Sequence, residues 1–164
     1  MNVHAIATCT LLALAAVGCG TGSAMRAQGG HGSSTPDPDP SAYDGREPAV
    51  VLNGQVSYYS DSLAGNHTAN GEIYDPERLT AASRDLPFGS IVRVIRRDTG
   101  ARVVVRINDR GPFGSRRRIL DLSRAAAREL GMLKRGVAEV RAEVLKLGKP
   151  TKKRRRPYAD GLRH

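Results

Sequence analysis

The run Val103-Val104-Val105-Arg106-Ile107-Asn108-Asp109-Arg110-Gly111-Pro112-Phe113 constrains the fold of this chain more than any other stretch. Its β-branched residues are stiff at χ1 and pack well on a pleated surface, so they read as a buried strand. Gly111-Pro112 breaks that strand into a turn. An acid, Asp109, lies at the break, flanked by an amide and a guanidinium. Carboxylates where a strand opens into a loop are held by a rigid scaffold and can still face a ligand. A second acid, Glu72, sits in a similar loop, Thr68-Ala69-Asn70-Gly71-Glu72. Two carboxylates on separate loops of one small all-β domain suggest acid/base work on a polar substrate, glycosidic bonds being one such class. The same residues also fit an Asx-turn, with Asp109 capping backbone amides and pairing with Arg110.

Other short strands are expected near 55–60, 79–82, 91–97, 102–107, 118–122 and 138–145. Arg97-Asp98-Thr99-Gly100 reads as a hairpin turn between two of them. One helix is evident, with Ser123 as N-cap, a body over 124–130 and Gly131 as its stop. Its alanines at 125, 126 and 127 let it lie close to whatever it packs on. The chain has no Trp and only 4% aromatic residues, so its core must be built from Val, Ile, Leu and Ala. Such strands fit a small, tightly filled barrel better than an open sheet. At 164 residues the chain has room for one domain plus tails.

The tails differ in kind. Residues 1–18 contain an apolar run, 5–18, too short to span a membrane and suited to a signal peptide. It ends in Ala16-Val17-Gly18-Cys19, which resembles a lipobox whose cysteine is lipidated. The alternative is an ordinary cleaved signal with an incidental cysteine. Export follows from both, with a bacterial outer-membrane anchor facing the periplasm as the expected location. Residues 19–49 read as a disordered tether stiffened by Pro36-Asp37-Pro38-Asp39-Pro40, and 50–147 as the domain. Residues 148–164 hold 7 basic and 1 acidic group, centred on Lys152-Lys153-Arg154-Arg155-Arg156. Such a run attracts anionic lipids or polymers without selectivity, or is simply solvated. No specific nucleic-acid partner, metal or cofactor is expected, since the chain is exported and its histidines at 4, 31, 67 and 164 are scattered.

Residues 54–145 resemble the rare lipoprotein A family. The resemblance runs through Gly54-Gln55-Val56-Ser57-Tyr58-Tyr59, Thr68–Glu72, Leu79-Thr80-Ala81-Ala82, Leu86-Pro87-Phe88-Gly89-Ser90, Val103–Phe113 and Ile119-Leu120-Asp121-Leu122-Ser123, in the family's order. It implies a mostly-β fold, a six-stranded double-psi β-barrel with one or two short helices. It also implies a monomeric peptidoglycan lytic transglycosylase acting on peptide-poor glycan strands. Such an enzyme breaks the bond between N-acetylmuramic acid and N-acetylglucosamine and leaves a 1,6-anhydro end. Asp109 matches the family's catalytic aspartate, and Glu72 a second acid that orients the sugar or shares the proton. Ser83, Tyr58, Asn70, Asn108 and Arg110 are the candidate substrate-binding groups.

Two positions depart from the family. Ser83 stands where a histidine is usual, and serine cannot shuttle protons near neutral pH. Tyr58 stands where Trp is usual, either stacking on a sugar or serving as a core or rim tyrosine. A second reading therefore stays open, a non-catalytic, expansin-like wall-binding module. His67 is a possible substitute for the missing histidine.

Overall fold

The structure, a computed structural model, describes residues 35–150. Six strands appear in it: β1 Val50–Tyr58, β2 Thr80–Ser83, β3 Ile91–Arg96, β4 Arg102–Asp109, β5 Arg118–Leu122 and β6 Ala138–Lys146. One helix, α1 Arg124–Glu129, and two 3-10 turns complete the elements among the described residues. The strands close into a barrel in the order β1-β5-β2-β4-β3-β6. Two pairs, β1–β5 and β2–β4, are parallel, and the rest are antiparallel. This is a six-stranded double-psi β-barrel.

Local sequence explains most of the elements. In β3, Val92 and Val94 are solvent-free while Arg93 and Ile95 are partly exposed, the period-2 pattern of a pleat. The β3–β4 hairpin closes where Gly100 takes φ 73°, a region that favours glycine. Ser123 Oγ accepts the Ala126 N–H, Gly131 follows the helix at φ 64°, and Ala125–Ala127 are buried. Val56, Val105, Ile107, Leu120, Leu122, Val140 and Val144 fill the interior without a large aromatic.

β1 begins at Val50, five residues earlier than expected. Its first part pairs with β6, and from Gln55 it pairs with β5, with a register shift between Gln55 and Val56. Gly54 is needed for the close approach of β5. A Cβ there would stand 2.7 Å from Ile119 Cγ2 and 3.0 Å from the Arg117 carbonyl oxygen. Gly54→Ala is expected to cost about 1–3 kcal/mol by overpacking, read as a lower Tm. An unchanged melting curve would show that β5 gives way freely.

The expected tether reaches the barrel before β1. The Thr35 carbonyl accepts from Arg78 Nη2 at 2.6 Å and from Arg106 Nη2 at 3.3 Å, and Asp37 pairs with Arg78 at 2.8 Å. Asp39 caps the 3-10 turn Pro40–Tyr43, and Tyr43 packs on Ile91, Val104 and Leu145. Residues 35–49 thus lie on the barrel wall, which corrects the tether for that part. Composition hid this, since backbone carbonyls and a single tyrosine make most of the contacts. The signal segment, Cys19, residues 20–34 and Lys152–Arg156 lie outside the described residues.

Candidate active site

Asp109 is the last residue of β4, beside Ala82 of β2. Ala82 also pairs with Asp121 of β5, and Asp121 with Ser57 of β1. Paired positions share a face of the sheet, so Ser57, Asp121, Ala82 and Asp109 form a row across four strands. The small Ala82 keeps the middle of this row low. Gly111 passes over it at φ 144°, where a Cβ would stand 3.6 Å from both Ala82 Cβ and Asp121 Oδ2.

Three donors from three parts of the chain meet on Asp109. Its Oδ1 accepts the Ala69 N–H at 2.7 Å and the Arg110 N–H at 2.8 Å. Its Oδ2 accepts the Tyr59 hydroxyl at 2.7 Å. Burial, then the hydrogen bond to Asp109, push the Tyr59 phenol far above its ordinary range, with the charges of Asp109 and Asp121 adding to it. Tyr59 therefore keeps its proton, and the Tyr74 ring holds it edge-on at 4.9 Å. Asp121 is anchored differently, by the Ser57 hydroxyl and by Arg118 Nη1 at 3.6 Å.

Glu72 is clamped. Arg106 donates to both its oxygens at 2.9 Å, and Asn108 Nδ2 donates to Oε2 at 3.0 Å. Burial by itself raises the Glu72 carboxyl, but the hydrogen bonds from Arg106 and Asn108 and the Arg106 charge outweigh it and hold the group below the usual range. Glu72 is thus held as a carboxylate by its partners, an arrangement that suits an orienting role more than proton sharing. Its loop lies along the end of β4, with the Asn70 N–H on the Asn108 carbonyl at 3.2 Å. That placement is what brings the Ala69 N–H onto Asp109.

The other expected sugar-binding groups are mostly spent within the protein. Ser83 is 3% exposed, and its Oγ accepts the backbone N–H groups of Asp85 and Leu86 at 3.3 and 3.1 Å. It caps its own turn and is not open to a ligand. Tyr58 donates to the Leu133 carbonyl at 2.9 Å and packs on the core, so it is a rim tyrosine. Arg110 Nη1 donates to the Ser83, Leu86 and Asp109 carbonyls, with Cζ 3.6 Å from the Phe88 ring centroid. Asn108 is buried on Glu72, and Asn70 is exposed but uses Oδ1 inside its loop, for Thr68 Oγ1 and the Glu72 N–H. His67 is exposed, with Nδ1 3.3 Å from the Gly71 carbonyl oxygen.

Sequence reasoning missed Tyr59, Arg106 and Asp121 as members of this cluster. The pleat alternates, so of the adjacent tyrosines only one can face Asp109, and its phase is not written locally. Tyr59→Phe should lower kcat on the substrate of this site by roughly tenfold, for loss of a hydrogen bond to a charged group. Tyr58→Phe should instead lower Tm and spare kcat. Equal effects of the two changes on kcat would remove Tyr59 from the site.

Among the described residues no cluster of His, Cys, Asp and Glu could hold a metal ion. A family model described as "Lytic transglycolase" matches residues 51–142. The "Probable endolytic peptidoglycan transglycosylase RlpA" of Nostoc sp. is 57% identical over 96 residues, covering 57% of this chain and 26% of that protein. The "Endolytic peptidoglycan transglycosylase RlpA" of Vibrio cholerae is 46% identical over 112 residues, covering 68% of this chain and 42% of that protein. The chain thus matches less than half the length of each of these relatives. Among solved structures, the Streptomyces papain inhibitor aligns at a TM-score of 0.48 with 24% identity, over 60% of this chain and 97% of that one.

Proposed function

This chain belongs to the lytic transglycolase family, and from that membership we propose that it is an endolytic peptidoglycan transglycosylase with Asp109 as its acid. The observation that carries the reading is the environment of Asp109, a carboxyl at a strand end held by three donors beside a low row of residues. Asp109 gives a proton to the glycosidic oxygen as the bond between the muramyl anomeric carbon and N-acetylglucosamine breaks. The muramyl 6-hydroxyl oxygen bonds to that carbon, and its proton returns to the carboxylate. No water enters, and the carboxyl ends as it began. One protein group can therefore serve as acid and then base, because the nucleophile belongs to the substrate.

The backbone donors suit the carboxylate stage, since hydrogen bonds donated to a carboxyl stabilise the charge left once the proton has gone. Oδ1 with two N–H bonds is the carbonyl oxygen of the acid form, leaving Oδ2 to carry the proton. Tyr59 stays in contact throughout, since a hydroxyl both donates and accepts. Glu72 acts as a positioning residue that fixes the Ala69 donor. No histidine is required in this scheme, so Ser83 is compatible with turnover. The test is mass spectrometry of peptide-free glycan strands after incubation with the full chain. 1,6-Anhydromuramyl ends support the reading, whereas strands that bind and stay intact favour a non-catalytic wall-binding module.

The same proposal includes export and an anchor. The apolar run 5–18 followed by Ala16-Val17-Gly18-Cys19 supports acylation of Cys19, placing the barrel at the outer membrane and facing the wall. Metabolic labelling with a tagged fatty acid, lost in Cys19→Ala, tests it.

A further inference from the structure

The loop between β4 and β5, residues 110–117, carries side chains that neither the acid nor the barrel uses. Phe113 is 77% exposed, the most exposed large hydrophobic residue among those described. Its backbone is nevertheless fixed on both sides. Arg84 donates to the carbonyls of Pro112 at 2.6 Å, Ser115 at 3.4 Å and Arg118 at 2.7 Å, and Arg118 Nη2 to that of Phe113 at 3.4 Å. The loop backbone is thus held by Arg84 and Arg118 while the Phe113 ring stays open to solvent and to any ligand at the row. The ring stands at the row of the active site: a Cβ on Gly111 would lie 3.8 Å from Phe113 Cδ2 and 3.6 Å from Asp121 Oδ2.

Charge accompanies the ring. Arg116 and Arg117 are exposed, and neither has a carboxylate partner among the described residues. Nine other arginines of the described chain do pair with an acid, so acids are not scarce on this surface. An exposed aromatic ring in the same short loop as two exposed guanidinium groups without a carboxylate suits a ligand that is apolar on one side and anionic at its edge. A pyranose ring offers a C–H face of that kind, and a carboxylate on its substituent accepts two parallel N–H bonds from an arginine.

We propose that this loop is a subsite for an acidic sugar unit next to the scissile bond, with Phe113 stacking on the ring and Arg116 and Arg117 taking its carboxylate. The assignment rests on the glycan reading above. In a muramyl residue the lactyl ether ends in such a carboxylate whenever no peptide is amide-linked to it. The ligand is then a glycan strand bearing one free carboxylate per disaccharide.

The experiment uses the full chain and two substrates, peptide-free strands as isolated and the same strands with their lactyl carboxylates converted to neutral amides. Binding by co-sedimentation and KM for anhydro-end formation are both read, at low and at high salt. On native strands Arg116→Gln/Arg117→Gln should weaken binding and raise KM by about tenfold, since each exposed contact contributes up to about 1 kcal/mol. Amidation should weaken the wild type to the same degree and leave the double variant unaffected. Phe113→Ala should also lose roughly tenfold while still distinguishing native from amidated strands. All are surface changes, so Tm should stay within a few degrees of wild type.

A wild type indifferent to amidation overturns the subsite, as does a double variant that loses as much on amidated strands as on native ones. Absence of anhydro ends with the wild type, together with binding that still depends on amidation, would sink the catalytic reading and leave the subsite standing.

Discussion

Asp109→Asn is expected to lower the rate of anhydro-end formation by roughly 10²–10⁴-fold, the usual worth of a positioned proton donor, while the barrel stays folded. The fold should persist because the amide oxygen still accepts the Ala69 and Arg110 N–H groups that now hold Oδ1. The amide nitrogen can donate to Tyr59, whose hydroxyl also accepts. The change thus removes the transferable proton and little else. Mass spectrometry of digested strands reads the loss, and a melting curve close to wild type shows that the site is intact. The informative comparison is Asp121→Asn, across Ala82 in the same row. Asp121 is engaged by Ser57 and Arg118, so its loss should weaken the site without abolishing turnover. If Asp121→Asn were dead and Asp109→Asn active, the acid would have to be moved along the row.

Arg106→Ala should be the most destabilising single change at the site. The Arg106 and Glu72 side chains are 6% and 15% exposed and meet through two 2.9 Å bonds. Removing the cation strands a carboxylate in a poorly solvated place, at a cost of about 3–5 kcal/mol. At about 4–8 °C per kcal/mol for a domain of this size, Tm should fall by more than about 10 °C. Activity should fall with it, because the Glu72 loop carries the Ala69 donor.

The pH dependence gives a sharper check through its sign. In the wild type the Glu72 carboxyl is held below its unfolded range, so its contribution is complete above the unfolded pKa. It is lost as pH falls through the folded pKa. In Arg106→Ala the Arg106 hydrogen bonds and charge that lower the group are gone while its burial remains, so the carboxyl should rise and acidification through the carboxylate range should relieve the variant. The Tm difference between the two proteins should therefore narrow as pH falls. A difference that stays constant or widens would show that Glu72 is not the group stranded by the loss of Arg106.

Much of the molecule was legible because the signals are local. The run from Val103 predicts β4, and Ser123 with Gly131 brackets α1, since capping and β-branching act within a few residues. Asp109 and Glu72 stood out because an acid at a strand break needs only its neighbours to be recognised. The clustered residues that escaped share a different cause. Tyr59 and Tyr58 exchange roles with the phase of the pleat, and Ser83 faces inward because its hydroxyl finds two backbone N–H groups in the next turn. Asp121 joins Asp109 only because β2 lies between β4 and β5, and Gly54 is required only because β5 presses against it.

The sequence by itself determined which segments become strands and helix and where the acids fall, through torsional preference, capping and hydrophobic periodicity. Strand order and register were decided only in the tertiary structure, by pairing between residues up to 94 positions apart, as with Val50 and Val144. That pairing gathers Ser57, Asp121, Ala82 and Asp109 into one row, and lays Thr35 against the arginine that holds Glu72.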